Sequence, residues 1–276
     1  MGVLKIRGAV LAAAWLAVGC IASTLSQAQS LFVIPTDSPP PASPAVADDQ
    51  PLHVALHVRD AMALARVLGV TRTKIETGVL DYVMSGYSAI QETMPRDWSE
   101  PSFVIDYHEP SVVRLSAEFA KSAPRRPVPD RAYVAALKTF VAGYVQESYD
   151  RGFDIASEVA VRREGNCKQF AVLTVALARS SGIPARVVFG LVLLRKESRY
   201  AAFGHAWAEL QVDGQWMVAD AALASLEMPV RYLPFGLLEN EDMGFTVDIT
   251  RLTSVWVQRI EVLGPATIDR VAGGGR

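Results

Sequence analysis

Between Gly165 and Asp220 the chain carries a cysteine, a histidine and an aspartate, Cys167, His205 and Asp220, spaced 38 and then 15 residues apart. A thiol is a strong nucleophile only as the thiolate. An imidazole beside it can take and return the proton, and a carboxylate can hold that imidazole in one tautomer. Nucleophile, base and orienter together suit acyl transfer through a covalent intermediate. The chain has only two cysteines and four histidines, so few such trios could be built from it.

The elements around the trio place each group usefully. Asn166 is a good N-cap residue, so Cys167 falls in the first turn of a helix, where the dipole and the unpaired backbone N–H groups favour a thiolate and can stabilise an oxyanion. That helix runs to about Ser181, with Gly182 as its stop and Pro184 just beyond. Ala171, Val172, Leu173, Val175, Ala176, Leu177 and Ala178 make it apolar nearly all round, as a rigid support should be. Two β-rich runs follow, Ala185–Leu194 and Phe203–Val212, and then Asp213-Gly214, a strong two-residue hairpin signal, with Gln215–Ala219 returning. Counting back from that turn pairs Val212 with Gln215, Leu210 with Met217 and Trp207 with Asp220. His205 and Trp207 share a strand face, so His205 lies diagonally beside Asp220, within reach of a hydrogen bond. The opposite face, with Ala206, Ala208, Leu210, Val212 and Met217, suits packing on a helix.

Upstream, Asp60–Leu68 reads as a short helix with Met62, Leu64, Ala65 and Leu68 inward, and residues 71–107 as short strands or loops. Pro110-Ser111 opens a helix with Val112, Leu115 and Phe119 on one side. Asp130 caps another, whose Tyr133, Val134, Leu137, Phe140, Val141, Tyr144 and Val145 follow helical spacing. One more strand is expected at Val255–Leu263.

At 276 residues, half of them hydrophobic and a fifth charged, the chain is long enough for one large domain with an appendage. A net charge of -2 points to neither nucleic acid nor an anionic surface as partner. Residues 1–28 read as a secretory signal: Lys5 and Arg7, then an apolar run from Gly8 to Ile21, then Ser26-Gln27-Ala28 as a cleavage site. The expected location is periplasmic or secreted. Ala17-Val18-Gly19-Cys20 also resembles a lipobox, and a membrane is a partner only if Cys20 is lipidated. Either way Cys20 cannot pair with Cys167, which leaves one unpaired thiol in an oxidising compartment. Residues 29–52 read as a Pro-rich disordered linker, 53–107 as an N-terminal appendage of unknown role, 108–265 as the domain carrying the trio, and 266–276 as a flexible tail.

Four motifs in order resemble the transglutaminase-like superfamily of papain-type cysteine enzymes: Gly165-Asn166-Cys167, Gly182-Ile183-Pro184-Ala185-Arg186, His205-Ala206-Trp207-Ala208-Glu209 and Trp216-Met217-Val218-Ala219-Asp220. The resemblance is tight over 130–222. It implies an α+β fold, a transglutaminase-like, papain-like core with the nucleophile helix packed on an antiparallel sheet. It also implies Cys167 as nucleophile, His205 as base then acid, Asp220 as orienter, and a thioester formed from an amide, with no cofactor and no metal. Trp207 is expected near the site, and Trp207 and Asn166 are candidate substrate-binding residues. The family completes its oxyanion hole with a side chain upstream of the cysteine, for which Gln146 and Tyr149 are candidates.

The leading expectation is therefore an exported cysteine peptidase or amidohydrolase with a peptide or protein substrate. The alternatives are a protein-glutamine transglutaminase or deamidase, and a non-catalytic binding module on the same fold. His53 and His57, four apart, have the helical spacing of zinc ligands, but no glutamate follows His53 and no third ligand is evident, so they read as surface residues.

Overall fold

The computed structural model describes residues 33–37, 50–69, 75–76, 78–84, 87, 89–90, 96–124, 130–149, 152–196, 199–245 and 257–266. The expected signal segment, the lipobox and most of the tail lie outside these residues.

The centre of the architecture is a helix laid on a sheet. The helix is α5 (Cys167–Ser180; α1–α4 are placed below), buried along almost its whole length from Gln169 to Arg179. Gly182 ends it at φ +75, a left-handed conformation that suits a residue without a Cβ. The sheet is antiparallel and built on a long strand, β4 (Arg199–Val212), flanked by β3 (Ala185–Lys196) and by β5 (Gln215–Ala219). The expected register holds: Gln215 faces Val212 and Met217 faces Leu210 across the Asp213-Gly214 turn. Ala206, Ala208, Leu210, Val212 and Met217 join the core that includes α5, so the small, alternating apolar face of β4 is where the helix beds down.

Three further helices enclose α5: α2 (Pro110–Ser122), α3 (Arg131–Tyr144) and α4 (Ala156–Arg162). Each buries one stripe, Val112, Leu115 and Phe119 in α2, Val134, Leu137 and Val141 in α3, and Ala156, Val159 and Ala160 in α4. Asp130 caps α3 as expected, accepting from the Tyr133 N–H.

The sheet gains a strand that sequence reading did not identify, β6 (Val230–Leu237), antiparallel to β3 with a bulge between Pro234 and Gly236. Proline cannot donate to a ladder, so a run with Pro234 in its middle does not read as a strand; it is tolerated because β6 lies at the sheet edge, and at a bulge.

A second sheet joins opposite ends of the folded chain. Strand β7 (Val257–Pro265) lies between Thr36–Asp37, to which it runs parallel, and β1 (Leu52–Val58), which in turn pairs with β2 (Val79–Met84). Its inner residues, among them Leu52, Val54, Leu56, Val58, Leu80, Ile260 and Val262, form one core with Leu191, Leu193, Ala202, Leu233 and Phe235 of the first sheet. Four sequence expectations change here. Leu52–Val58 and Val79–Met84 share a sheet and a core with the tail strand, while Val104 and Ile105 join the core around α5, so the packing does not divide at 107. Ile34 and Thr36–Asp37, assigned to a disordered linker, are respectively buried in this core and paired with Ile260 and Glu261. Helix α1 (Ala61–Val67), capped by Asp60, buries Ala61, Leu64 and Ala65 and turns Met62 out to solvent. His53 and His57 stand on strand β1, not on a helix; the period-two burial of Leu52, Val54, Leu56 and Val58 puts both on its outer face, His53 against Asp81 and His57 against Arg259.

Candidate active site

Cys167 is the first residue of α5, and the helix end that holds it is tied down twice. Asn166 Oδ1 accepts from the Lys168 N–H at 3.2 Å, and Gln169 Oε1 accepts from the Asn166 N–H at 3.0 Å, a reciprocal capping box. Gln169 Nε2 also donates to the Gly152 carbonyl at 2.6 Å, fastening the first turn to the loop before α4. The strand entering the turn fits closely: a Cβ on Gly165 would lie 2.3 Å from the Gln169 Cβ. Cys167 is partly exposed and unpaired.

The hairpin brings the other two residues of the trio together. His205 Nε2 and Asp220 Oδ2 are 2.8 Å apart and both side chains are buried. With Nε2 committed to the carboxylate, Nδ1 is the nitrogen left for the thiol, whose Sγ lies 4.0 Å from Asn166 Oδ1. Burial is the largest influence on the thiol and works against ionisation; the His205 hydrogen bond and charge, with Lys168 and the Ala206 N–H, outweigh it and hold the Cys167 pKa below the usual thiol value. Burial likewise works to discharge His205, but the charge and hydrogen bond of Asp220, helped by Cys167, push its pKa up to about 10. The arrangement favours the thiolate–imidazolium pair over the neutral one.

Behind the trio stands a layer of aromatic rings. Trp207, 1% exposed, lies nearly parallel to the His205 ring at 6.2 Å and donates from Nε1 to the Tyr87 hydroxyl at 3.2 Å. Tyr232 of β6 meets Trp207 edge-on at 5.1 Å, and its hydroxyl donates to Asp220 Oδ2 at 3.0 Å. The backbone N–H of Leu223 donates to the other carboxylate oxygen at 3.2 Å. Trp207 and Asn166, expected to touch substrate, thus serve the site from within: one is enclosed behind the histidine, and the other, 7% exposed, caps the cysteine helix. Of the upstream oxyanion candidates, Gln146 sits exposed on a short strand parallel to Glu164–Gly165, beside the chain that enters Cys167, and the Tyr149 hydroxyl bonds to the Glu147 carboxylate.

Sequence reading missed Tyr87 and Tyr232, one in poorly patterned chain and the other in the run that Pro234 disguises. It also missed why Arg186 and Glu209 recur in the motifs. They face each other in the β3–β4 register, Arg186 Nε donating to Glu209 Oε2 at 2.6 Å with both side chains fully buried. Arg186 also lies 4.0 Å from the centre of the Trp216 ring and donates to the Ile90 carbonyl. This pair fixes β3, β4, β5 and Ile90 relative to one another, behind the trio.

Residues 117–221 match the family model of the transglutaminase-like superfamily, a span that holds Cys167, His205 and Asp220. The domain they form belongs to that superfamily, and its helix-on-antiparallel-sheet core is a transglutaminase-like α+β fold. Similar solved structures include a candidate cysteine protease from Cytophaga hutchinsonii, 20% identical over 50% of this chain and 45% of that one, with a TM-score of 0.38. Another is the ethylmercury-bound periplasmic domain of TgpA from Pseudomonas aeruginosa, 26% identical over 41% of this chain and 44% of that one, with a TM-score of 0.31. A third is a TGase, 21% identical over 41% of this chain and 32% of that one, with a TM-score of 0.30. The chain thus spans less than half the length of each of these structures. No curated protein matches it. Among the described residues, no helix is long and apolar enough to cross a membrane.

Proposed function

We propose that this protein is an exported cysteine amidohydrolase or peptidase that cleaves an amide through Cys167, His205 and Asp220. The observation that carries the reading is the buried His205–Asp220 pair, 2.8 Å apart, set beside a free cysteine that is the first residue of a buried, capped helix. The Cys167 thiolate attacks the amide carbonyl. The N–H of Cys167, which the cap does not use, is placed to stabilise the developing oxyanion. The His205 imidazolium gives its proton to the leaving amine as the C–N bond breaks, leaving a thioester. Water then attacks the thioester with neutral His205 as base, releasing the acid and restoring the thiol. Export is supported by the signal-like run at residues 1–28. The proposed substrate is a peptide or protein, the amide-bearing class that the four sequence motifs imply.

The test begins with iodoacetamide. In the purified protein, Cys167 should alkylate rapidly below pH 7, and His205→Ala should slow this to the behaviour of a thiol ionising near pH 8.5. A rate that follows an ordinary thiol in both proteins sinks the enzymatic reading and favours a binding module. Release of ammonia or amine from glutaminyl and peptide substrates, with and without an added primary amine, then decides between water and amine as acceptor. His205→Ala should lower the rate by about 10²–10⁴-fold, the usual share of general acid–base catalysis.

A further inference from the structure

We infer that Tyr232 is a positioning residue of the trio: its hydroxyl shares Asp220 Oδ2 with His205 and thereby limits how tightly the carboxylate holds the imidazolium. The inference rests on the reading of Cys167, His205 and Asp220 as catalytic machinery. Tyr232 lies outside the span that matches the family model, on the edge strand β6. Its hydroxyl is 3.0 Å from the same carboxylate oxygen that His205 Nε2 meets at 2.8 Å. Leu223 N–H takes the other oxygen, so both oxygens of the carboxylate are held when the imidazole is in place. The ring cannot swing away. It packs edge-on against Trp207 at 5.1 Å and against Tyr87 at 6.1 Å, and Trp207 lies behind His205.

The groups facing this carboxylate are therefore His205, Tyr232 and the Leu223 N–H, with Cys167 beyond the imidazole. Burial, then the neighbouring Asp220 charge, raises the Tyr232 pKa, so the phenol stays a neutral donor throughout the working range. A neutral donor on Asp220 draws carboxylate charge toward itself and leaves less for His205. An imidazolium held too firmly is a poor acid toward a leaving amine, so this sharing matters for turnover. Tyr87 extends the arrangement: it reaches Trp207 from chain well upstream of the matched span, so residues beyond the shared core hold the rings in place.

The test is the rate of Cys167 alkylation by iodoacetate, an anion attracted by the imidazolium, from pH 4 to 11 on the full mature chain. The rate rises as the thiolate forms and falls as the imidazolium loses its proton. Tyr232→Phe should move the falling limb up by about half a pH unit or more, roughly a threefold rise in proton affinity. In Asp220→Asn, which removes the charge being shared, adding Tyr232→Phe should shift the profile no further. Difluorotyrosine at 232 keeps the ring and makes a stronger donor, so it should move the falling limb down; it also serves if Tyr232→Phe does not fold. Profiles of Tyr232→Phe and wild type that superimpose, or a shift that persists undiminished in Asp220→Asn, overturn the inference while leaving the trio's role intact. A wild-type thiol with no low-pH reactivity removes both.

Discussion

His205 and Asp220 meet at 2.8 Å across a hairpin whose turn is two residues, Asp213 and Gly214, both in the left-handed region at φ 51 and 75. The contact is a consequence of register. Ala219 pairs with Ala208, the next residue leaves the strand as Asp220, and its carboxylate falls beside the imidazole on the face that β4 turns away from α5. A slip of one residue would turn that side chain to the other face.

Asp220→Asn removes the charge that raises His205. The folded-state pKa of His205 is about 10, so the imidazolium is favoured by the fold, and that contribution is full below the ordinary histidine value and lost as pH rises through 10. Without the carboxylate, burial dominates and the falling limb of the iodoacetate profile should drop by several units, to about 6.5 or below. A limb left in place would show that Asp220 does not hold the imidazolium.

Gly190 is the closest fit behind the site. A Cβ there would lie 2.2 Å from the Leu233 carbonyl oxygen and 2.7 Å from the Trp207 ring. Neither neighbour can yield easily: one is backbone in the paired strand β6, and the other is a buried indole. Gly190→Ala should cost about 1–3 kcal/mol, the usual range for overpacking. It should also slow Cys167 alkylation, since the ring it displaces lies behind His205. Thermal unfolding and the alkylation rate check both; an unchanged Tm would contradict the packing.

Arg186→Met strands Glu209 in the core. Breaking a buried pair by removing one partner costs about 3–5 kcal/mol, whereas Arg186→Met with Glu209→Leu should recover most of that loss. The effect carries a pH signature. Burial pushes the Glu209 carboxyl up to about 8 with the arginine in place, and removing the arginine should raise it further, so the variant folds with Glu209 protonated. A raised folded-state pKa favours the fold fully below the unfolded value and loses that favour as pH rises through 8. The Tm difference between Arg186→Met and wild type should therefore widen as pH rises above 8, where Glu209 ionises in wild type and still resists ionisation in the variant.

Much of the site could be read from the sequence because its parts obey local rules. Asn166 caps a helix, Gly182 ends it, and Asp213-Gly214 sets a register that leads directly from His205 to Asp220. What escaped was non-local or disguised. β1 alternates Leu52, Val54, Leu56 and Val58 plainly, yet its histidines at helical spacing drew attention from that period. Strand β6 was hidden by Pro234, and with it Tyr232. Thr36–Asp37 lies in Pro-rich chain whose composition suggests a linker, and only its pairing with β7 makes it a strand. The service of Trp207 behind His205 depends on burial, which spacing alone does not reveal.

The joining of β1 to β7 also governs how this protein comes to be folded. His57 and Arg259, in contact across those strands, are 202 residues apart. The cysteine helix and the hairpin can form from neighbouring chain, but the second sheet waits for the last strand to be made. Until then Leu52, Val54, Leu56 and Val58 have no β7 to cover them. Closure over so long a loop belongs to the slow, millisecond-to-second regime of non-local β pairing. A nascent chain halted before residue 257 is thus left with an unpaired, apolar strand edge, the kind of surface on which aggregation starts.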